Sequence, residues 1–370
     1  MFRTRDIDKT IILATMALVA IGFVMVYSTS YIMAMQRYGS EYFFVKKHLI
    51  FIALGFLLFF AAARIPYHLY HRLTYLIFFS SLFLLIMLIF IPEIGNTAGG
   101  AKRWLKAGPL TFQPSEPAKL AVIIYLSYYL AAKKDKVKSF AVGFLPPIIM
   151  SGLFISLILN EPDFGTALSL GIVVIIMMFI GGVRLRYLFL MFLAAAPFIY
   201  LMITGADYRM KRVLTFLDPW KDSDGAGFQL VQSFLAFGSG GIWGAGLGEG
   251  TRKLFYLPEA HTDFIFSVIG EELGLIGVSV VIILYLAILI SGIRVSLKAK
   301  DLFGQYLAVG ITLLVVLQAA VNMAVVTALL PTKGLTLPFV SYGGTSLVVN
   351  MLGMGILLSI YRMELAPGRG

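Results

Sequence analysis

Three ionisable side chains, Glu259, His261 and Asp263, lie within one five-residue stretch where a long polar segment meets an apolar run. A carboxylate at the point where a chain enters lipid is costly, so it lies at a wet interface or is used for chemistry. Side chains of these types act as general acids and bases. The alternative for Asp263 is a helix N-cap, a position that Asp favours.

Other polar residues interrupt apolar runs elsewhere in the chain. Glu116 and Lys119 are three residues apart at the start of a predicted helix, so they are neighbours on one helix face. A local ion pair and a functional role explain this pair equally well.

Residues 160–163, Asn-Glu-Pro-Asp, break another apolar run at Pro162. A simple turn does not require two carboxylates, which favours a functional role for Glu161 and Asp163.

Cationic residues cluster at two places outside the apolar runs. Close to lipid headgroups they attract anionic groups, and the sequence does not separate phospholipid from a phosphorylated substrate. For the cluster that includes Trp104, anchoring at the membrane surface is the plainer interpretation. The clusters are Lys102, Arg103, Trp104 and Lys106, and Arg209, Lys211 and Arg212.

Residues 331–344, PTKGLTLPFVSYGG, contain two prolines and three glycines between apolar runs. Non-helical backbone at membrane depth is tolerated only where it is buried in protein or lines a wet cavity. We therefore predict that this segment forms a cavity wall, and we take Lys333 and Ser341 as candidate substrate-binding residues.

The elements that position these residues are membrane spans. The chain has 370 residues, is 59% hydrophobic and 13% charged, and has a mean hydropathy of +0.89, whereas soluble proteins have about 25% charged residues. Runs of roughly 17 to 25 apolar residues predict about ten spans. They cover approximately residues 10–32, 46–64, 74–92, 116–132, 140–160, 165–183, 187–204, 264–291, 303–329 and 345–361.

An even number of spans puts both termini on one side of the membrane. The termini and the connections on their side hold more than half of the 30 Lys and Arg residues, so this side is predicted to be cytoplasmic. Most of the 19 Asp and Glu residues then lie on or near the outer side. The fold class is thus an all-α polytopic membrane protein, with one domain over residues 1–370 and a long extracytoplasmic loop over about residues 205–262.

This loop is long for a protein of tight connections, and such loops are usually functional or disordered. It contains many aromatic residues, which is atypical of disorder, so we expect short helices lying on the membrane surface.

Two patterns that resemble known sites do not predict one. Residues 238–250, GSGGIWGAGLGEG, follow no strand and precede no G-K-[ST], so a closely packed or flexible turn beside a spanning helix fits better than a phosphate loop. His68 and His71 fall short of the three or four ligands that a metal site needs, and we assign no metal ligands. The chain has no cysteine, and its basic residues form no stripe that would indicate nucleic-acid binding.

The motifs together resemble one known family over nearly the whole chain. They are GGAKRWL, QPSEPAKL, EPDFGT, FLDPW, KLFYLPEAHTDFIF followed by GEELG, and PTKGLTLPFVSYGGTSL. The chain resembles the SEDS family (shape, elongation, division and sporulation). TKGLTLPF and FLDPW are similar to the FtsW-type cell-division branch more than to the rod-elongation branch. Members of the division branch often have an acidic residue where this chain has Phe255.

The resemblance implies a ten-span enzyme that polymerises lipid II, a lipid-linked disaccharide-peptide, into peptidoglycan strands outside the bacterial cytoplasmic membrane. It implies a class B penicillin-binding transpeptidase with a single span as partner, other division proteins, and a position at the division septum. It puts the catalytic aspartate at Asp263 and other functional positions at Trp104, Glu116, Lys119 and Asp163. Our full set of candidate substrate-binding residues is Trp104, Arg103, Glu116, Lys119, Asp163, Glu259, His261, Arg209, Arg212, Lys333 and Ser341.

The implied reaction is the attack of a sugar 4-hydroxyl on an anomeric carbon that carries a polyprenyl pyrophosphate. An inverting displacement needs a base for the hydroxyl, and Asp263 is assigned to it. Pyrophosphate leaves as a stable anion, so it needs cations rather than a proton. Lys119, Arg103 or a divalent ion such as Mg²⁺ or Mn²⁺ are the candidates, and no cofactor is certain.

Two other functions remain open at this point. Ten spans and a polar cavity suit a flippase for lipid II as well, but a flippase should offer polar groups along the whole path, whereas acidic residues here crowd the outer end. A purely scaffolding protein leaves the outer carboxylates unexplained. The rod-elongation, RodA-type branch of the same family is a further alternative.

Overall fold

The structure, a computed structural model, describes residues 7–90, 95–98, 101–107, 110–205, 207–223, 225, 227–251, 260–331 and 334–364. Within these ranges, each of the ten predicted spans is matched by one long helix. The α-helices in chain order are α1 (Ile7–Tyr38), α2 (Phe43–Arg64), α3 (His68–Arg72), α4 (Thr74–Phe90), α5 (Ser115–Ala132), α6 (Leu145–Asn160), α7 (Phe164–Ile180), α8 (Leu185–Thr204), α9 (Asp207–Leu217), α10 (Phe228–Gly240), α11 (Ile265–Lys298), α12 (Leu302–Val326) and α13 (Gly344–Glu364).

Length and composition suit these helices to a membrane. Among the described residues, six helical segments are long and apolar enough to cross one, and three apolar helices are shorter. The tenth, α5, contains Glu116 and Lys119 and is mostly buried inside the protein. A charged pair on a spanning helix is expected to face the protein interior, and α5 satisfies this.

The helices form an interior and an outer layer. The pairs α13 and α2, α11 and α12, and α1 and α11 pack extensively, and α12 also packs on α5. In the outer layer, α8 exposes large apolar side chains such as Phe189, Phe192 and Leu201. Because lipid is apolar, such an exposed surface fits a helix that faces a bilayer.

A small antiparallel sheet lies between α4 and α5. Strands β1 (Gly95–Ala98), β2 (Ala101–Ala107) and β3 (Leu110–Phe112) pair in that order. This sheet was not predicted from the sequence, because its strands are short and lack a clear apolar alternation. The all-α class describes the helical bundle, and the sheet is an addition to it.

The Gly-rich residues 238–250 pack closely on a break in α11, as predicted for a turn beside a spanning helix. Gly274, inside α11, has φ 63° and ψ −162°, which no helical residue adopts. The amides of Ala245 and Gly246 donate to the carbonyls of Glu271 and Glu272 at 2.9 and 3.1 Å. Backbone groups exposed by the kink therefore find partners inside the protein.

The long loop contains helices, as predicted, and one of them packs on the helical bundle. The backbone of α10 packs on α11, and the hydroxyl of Ser233 lies 2.6 Å from that of Ser267 and donates to the carbonyl of Val326 at 2.6 Å. Apolar side chains of α10, including Leu230 and Ala236, are buried by this packing. That these helices lie on the membrane surface stays a prediction.

Candidate active site

Asp263 is half-buried in a turn, residues 260–264, that leads directly into α11. The N-cap position of α11 falls on Phe264, so the start of the helix does not support the alternative in which Asp263 is its cap. A Cβ atom added at Gly334 would lie 3.1 Å from Oδ2 of Asp263. The carboxylate thus lies against backbone of the predicted wall segment, where a side chain would crowd it.

Residues 335–343 form an irregular segment that is mostly buried in protein, as non-helical backbone at membrane depth requires. Leu335, Leu337, Phe339 and Val340 are all at most 3% exposed. The Tyr285 hydroxyl of α11 donates to the Pro338 carbonyl. The segment is therefore a fixed part of the protein against which Asp263 is placed.

Two amides on α12, one helical turn apart, hold this segment. Gln318 donates to the carbonyl of Thr336 at 3.0 Å, and Asn322 donates to the carbonyl of Leu335 at 2.6 Å. Asn322 also donates to the carbonyl of Asp263 at 2.9 Å. Neither amide was predicted from the sequence, although polar residues four apart in an apolar span were a usable signal.

Lys119 and Glu116 form a buried ion pair at the start of α5. The Lys119 ammonium lies 3.0 Å from Oε1 of Glu116 and 2.9 Å from Oε1 of Gln318, and the Lys119 side chain is 1% exposed. Both bonds are internal to the protein, which favours the ion-pair interpretation. Contact of either residue with a substrate stays a prediction.

Asp163 is 3% exposed and serves as the N-cap of α7. Its carboxylate accepts bonds from the amide of Thr166 at 3.1 Å, the hydroxyl of Thr166 at 2.9 Å and the side chain of Gln113 at 3.2 Å. The Gln113 amide in turn donates to the hydroxyl of Thr345, at the start of α13, at 3.1 Å. Asp163 and Gln113 together therefore link the start of α7, the residues just before α5 and the start of α13. Contact of Asp163 with a substrate stays a prediction.

Arg103, on β2, binds the turn between α6 and α7. Its guanidinium donates to the carbonyls of Glu161 and Pro162 at 3.0 and 2.6 Å. Trp104 follows it on β2 and is half-buried. Arg103 thus has a positioning role in this structure, and its predicted role toward a leaving pyrophosphate stays a prediction, as does the binding role of Trp104.

Glu161, the other carboxylate of the Asn-Glu-Pro-Asp segment, is a buried carboxyl at this turn and was not among the candidate binding residues. It is 2% exposed, and neither carboxyl oxygen has a hydrogen-bond partner among the residues that the structure describes. Burial raises the pKa of Glu161 to about 8, with Asp163 adding to the rise and Arg103 opposing it. The group is therefore mostly protonated at neutral pH.

His261 and Ser341 lie on either side of the contact between the Asp263 turn and the wall segment. The His261 ring is 5.0 Å from that of Phe44 and 5.7 Å from that of Tyr342. Ser341 is 3% exposed, accepts from the amide of Leu337 at 2.8 Å and donates to the carbonyl of Thr262 at 2.5 Å. Its burial favours a structural role, and substrate contact by either residue stays a prediction.

Four of the predicted binding residues have no described side chain. Glu259 and Lys333 lie outside the described residues, as does Phe255. Arg209 and Arg212 belong to α9, whose backbone is described at these positions. Their roles stay predictions.

The sequence left open a divalent cation such as Mg²⁺ or Mn²⁺ at this site. Among the described residues, no three His, Asp or Glu side chains come together as a metal site would require. The described donors thus do not fit a protein-held ion.

Comparison with known proteins gives consistent matches over most of the chain. Residues 8–365 match the family described as cell cycle protein, which is named for FtsW, RodA and SpoVE. A protein of Geobacter sulfurreducens named probable peptidoglycan glycosyltransferase FtsW is 48% identical over 301 residues, which are 81% of this chain and 80% of that protein.

Solved structures share the fold. A chain in a peptidoglycan synthase complex, studied for the structural coordination of polymerization and crosslinking, superposes with a TM-score of 0.79 at 27% identity, over 96% of this chain and 98% of the other. The rod shape determining protein RodA of Thermus thermophilus superposes with a TM-score of 0.70 at 27% identity, over 96% of both chains.

Proposed function

Because the chain belongs to the cell cycle protein family of FtsW, RodA and SpoVE, we propose that it is a peptidoglycan glycosyltransferase that polymerises lipid II for cell division. Asp263 is the catalytic base in this proposal. The observation that supports it is the half-buried Asp263 carboxylate, placed before a spanning helix and against a rigid, non-helical segment. The similarity to a protein named peptidoglycan glycosyltransferase FtsW adds the reaction class.

In the proposed reaction, the 4-hydroxyl oxygen of one sugar attacks the anomeric carbon of another. The new glycosidic carbon–oxygen bond forms as the bond to the pyrophosphate breaks, and the configuration inverts. The hydroxyl proton passes to the Asp263 carboxylate and then to water, while the pyrophosphate leaves with the bonding electron pair. A positioned base of this kind contributes a factor of roughly 10² to 10⁴ in rate.

The surroundings of Asp263 suit a base that must accept a proton. Partial burial limits the number of waters around the carboxylate, and the backbone contacts hold it in one place. Positioning of the reacting groups contributes a large further part of the rate in such displacements. The leaving pyrophosphate needs cations, and Lys119 and Arg103 are the residues assigned to it in this proposal.

The proposed function includes the topology of the protein in the membrane, its location in the cell and its partners. Both termini lie in the cytoplasm, residues 205–262 are extracytoplasmic, the whole chain forms one domain, and the protein acts at the division septum. A class B penicillin-binding transpeptidase with one span is the proposed partner, in line with the synthase complex whose chain shares the fold. Other division proteins are expected in the same assembly.

The decisive test compares Asp263→Asn with wild-type protein, each purified with the transpeptidase partner and supplied with lipid II. The variant keeps the size of the side chain and removes the base, so it should fold, bind the partner and make glycan strands at least about 10² times more slowly. Asp222→Asn is the matched control, because Asp222 pairs with Lys211 in an exposed contact at 3.4 Å. Normal polymerisation by Asp263→Asn, or transport of labelled lipid II across liposomes without polymerisation by wild type, would refute the proposal.

A further inference from the structure

Asn322 connects the Asp263 turn to the wall segment through one side chain. Its amide nitrogen donates to the Asp263 carbonyl at 2.9 Å and to the Leu335 carbonyl at 2.6 Å. The residue is 1% exposed and lies near the end of α12. Two separate chain segments are therefore held at a fixed spacing by one amide group.

The geometry leaves one orientation for this amide. Both groups that it meets are carbonyl oxygens, which accept hydrogen bonds and do not donate them. The side-chain nitrogen must therefore face them, because the side-chain oxygen in its place would be repelled by both. A residue without two donor hydrogens on one short side chain cannot replace these contacts.

The neighbouring turn of α12 anchors the same segment. The nitrogen of Gln318 donates to the Thr336 carbonyl, and its oxygen accepts from the buried Lys119 ammonium at 2.9 Å. Gln318 thus holds Thr336, and Asn322 holds the adjacent Leu335. The wall segment is therefore hydrogen-bonded to α12 at two consecutive residues. Asn322 thus connects the Asp263 turn to a segment that is itself held in place.

We infer that Asn322 is a positioning residue for Asp263, which sets the carboxylate relative to the wall segment during sugar transfer. The inference rests on the proposed function, because Asp263 is the base only in that proposal. Asn322 acts through the backbone and takes no part in proton transfer. A misplacement of about 1 Å costs on the order of 10² in rate, so loss of the contact should lower kcat between about 10-fold and 100-fold.

The test measures kcat and KM for lipid II polymerisation by Asn322→Leu in complex with the transpeptidase, together with the melting temperature. Thr312→Val is the matched control, because Thr312 lies buried on the same helix and, among the described residues, its hydroxyl bonds only to the Ala308 carbonyl of that helix, at 2.7 Å. The expected result is a kcat at least 10-fold lower than wild type, with KM within about 2-fold and the control near wild type. Asn322→Ser, which is smaller and keeps one donor, serves as a second variant if the first does not fold.

The outcomes separate this inference from the proposed function. If wild type polymerises, Asp263→Asn does not, and the Asn322 variants keep a kcat within 2-fold of wild type, the positioning role is wrong and the proposed function stands. An increase in KM alone assigns Asn322 to substrate binding and also overturns the inference. If both Asn322 variants lose the folded state, the residue serves folding and the inference fails. If wild type does not polymerise, both proposals fail together.

Discussion

The buried pair of Glu116 and Lys119 permits a quantitative prediction. Their side chains are 6% and 1% exposed, and 3.0 Å separates the charged atoms. Replacing Lys119 with Met leaves the Glu116 carboxylate without its cation in a place that water hardly reaches. Removal of one partner of a buried ion pair typically costs about 3–5 kcal/mol in the free energy of unfolding.

The double substitution should recover most of that loss. With Glu116→Gln added to Lys119→Met, no charge is buried, and neutral replacement of a whole buried pair is often close to neutral in stability. The assay is a double-mutant cycle of unfolding free energies in detergent, which isolates the coupling between two contacting residues. A single-variant cost below about 1 kcal/mol would refute the reasoning, because a buried charge would then be left at almost no cost.

The same variants separate the two interpretations of this pair. If the double variant is stable and polymerises lipid II normally, Lys119 and Glu116 serve the fold. If it is stable but inactive, the pair contacts the substrate or the leaving group. Polymerisation with the transpeptidase partner is the measurement in both cases.

Three further predictions concern single positions. Gly334→Ala puts a methyl group 3.1 Å from Oδ2 of Asp263, so the polymerisation rate should fall several-fold with an unchanged melting temperature. Gly244→Ala should lower the melting temperature much more than Gly248→Ala. Both glycines have positive φ, but of the two only Gly244 would place its new Cβ against backbone, 2.2 Å from the Glu272 carbonyl oxygen. Equal losses in melting temperature would contradict this close approach. The pKa of Glu161 is raised to about 8 in the folded protein, so its contribution to stability is present at low pH and is lost as pH rises from about 4.5 through 8. Glu161→Gln should therefore flatten the decline in melting temperature over that range. Identical pH profiles of the variant and wild type would refute the assignment.

The Asp263 region was predicted from local chemistry. Carboxylates beside an apolar run are rare enough to mark a site without any knowledge of the fold. The same reasoning selected Glu116, Lys119 and Asp163, and the structure places them in hydrogen-bonded contacts at one end of the bundle. Glu161 was noted as the second carboxylate of the same turn but was not chosen as a binding residue, and only the tertiary structure shows that it is buried.

Ten helices and their approximate limits followed from the sequence alone, because the length of an apolar run is a local property that a bilayer turns directly into a span. Which polar groups meet was decided by the tertiary structure. Lys119 finds Gln318 across 199 residues of sequence, and Asn322 finds Asp263 across 59. The burial of α10 in the bundle and the kink of α11 at Gly274 depend in the same way on distant segments. A buried polar group is stable only with a partner, and the partner is chosen by packing in three dimensions, which no local pattern of residues records.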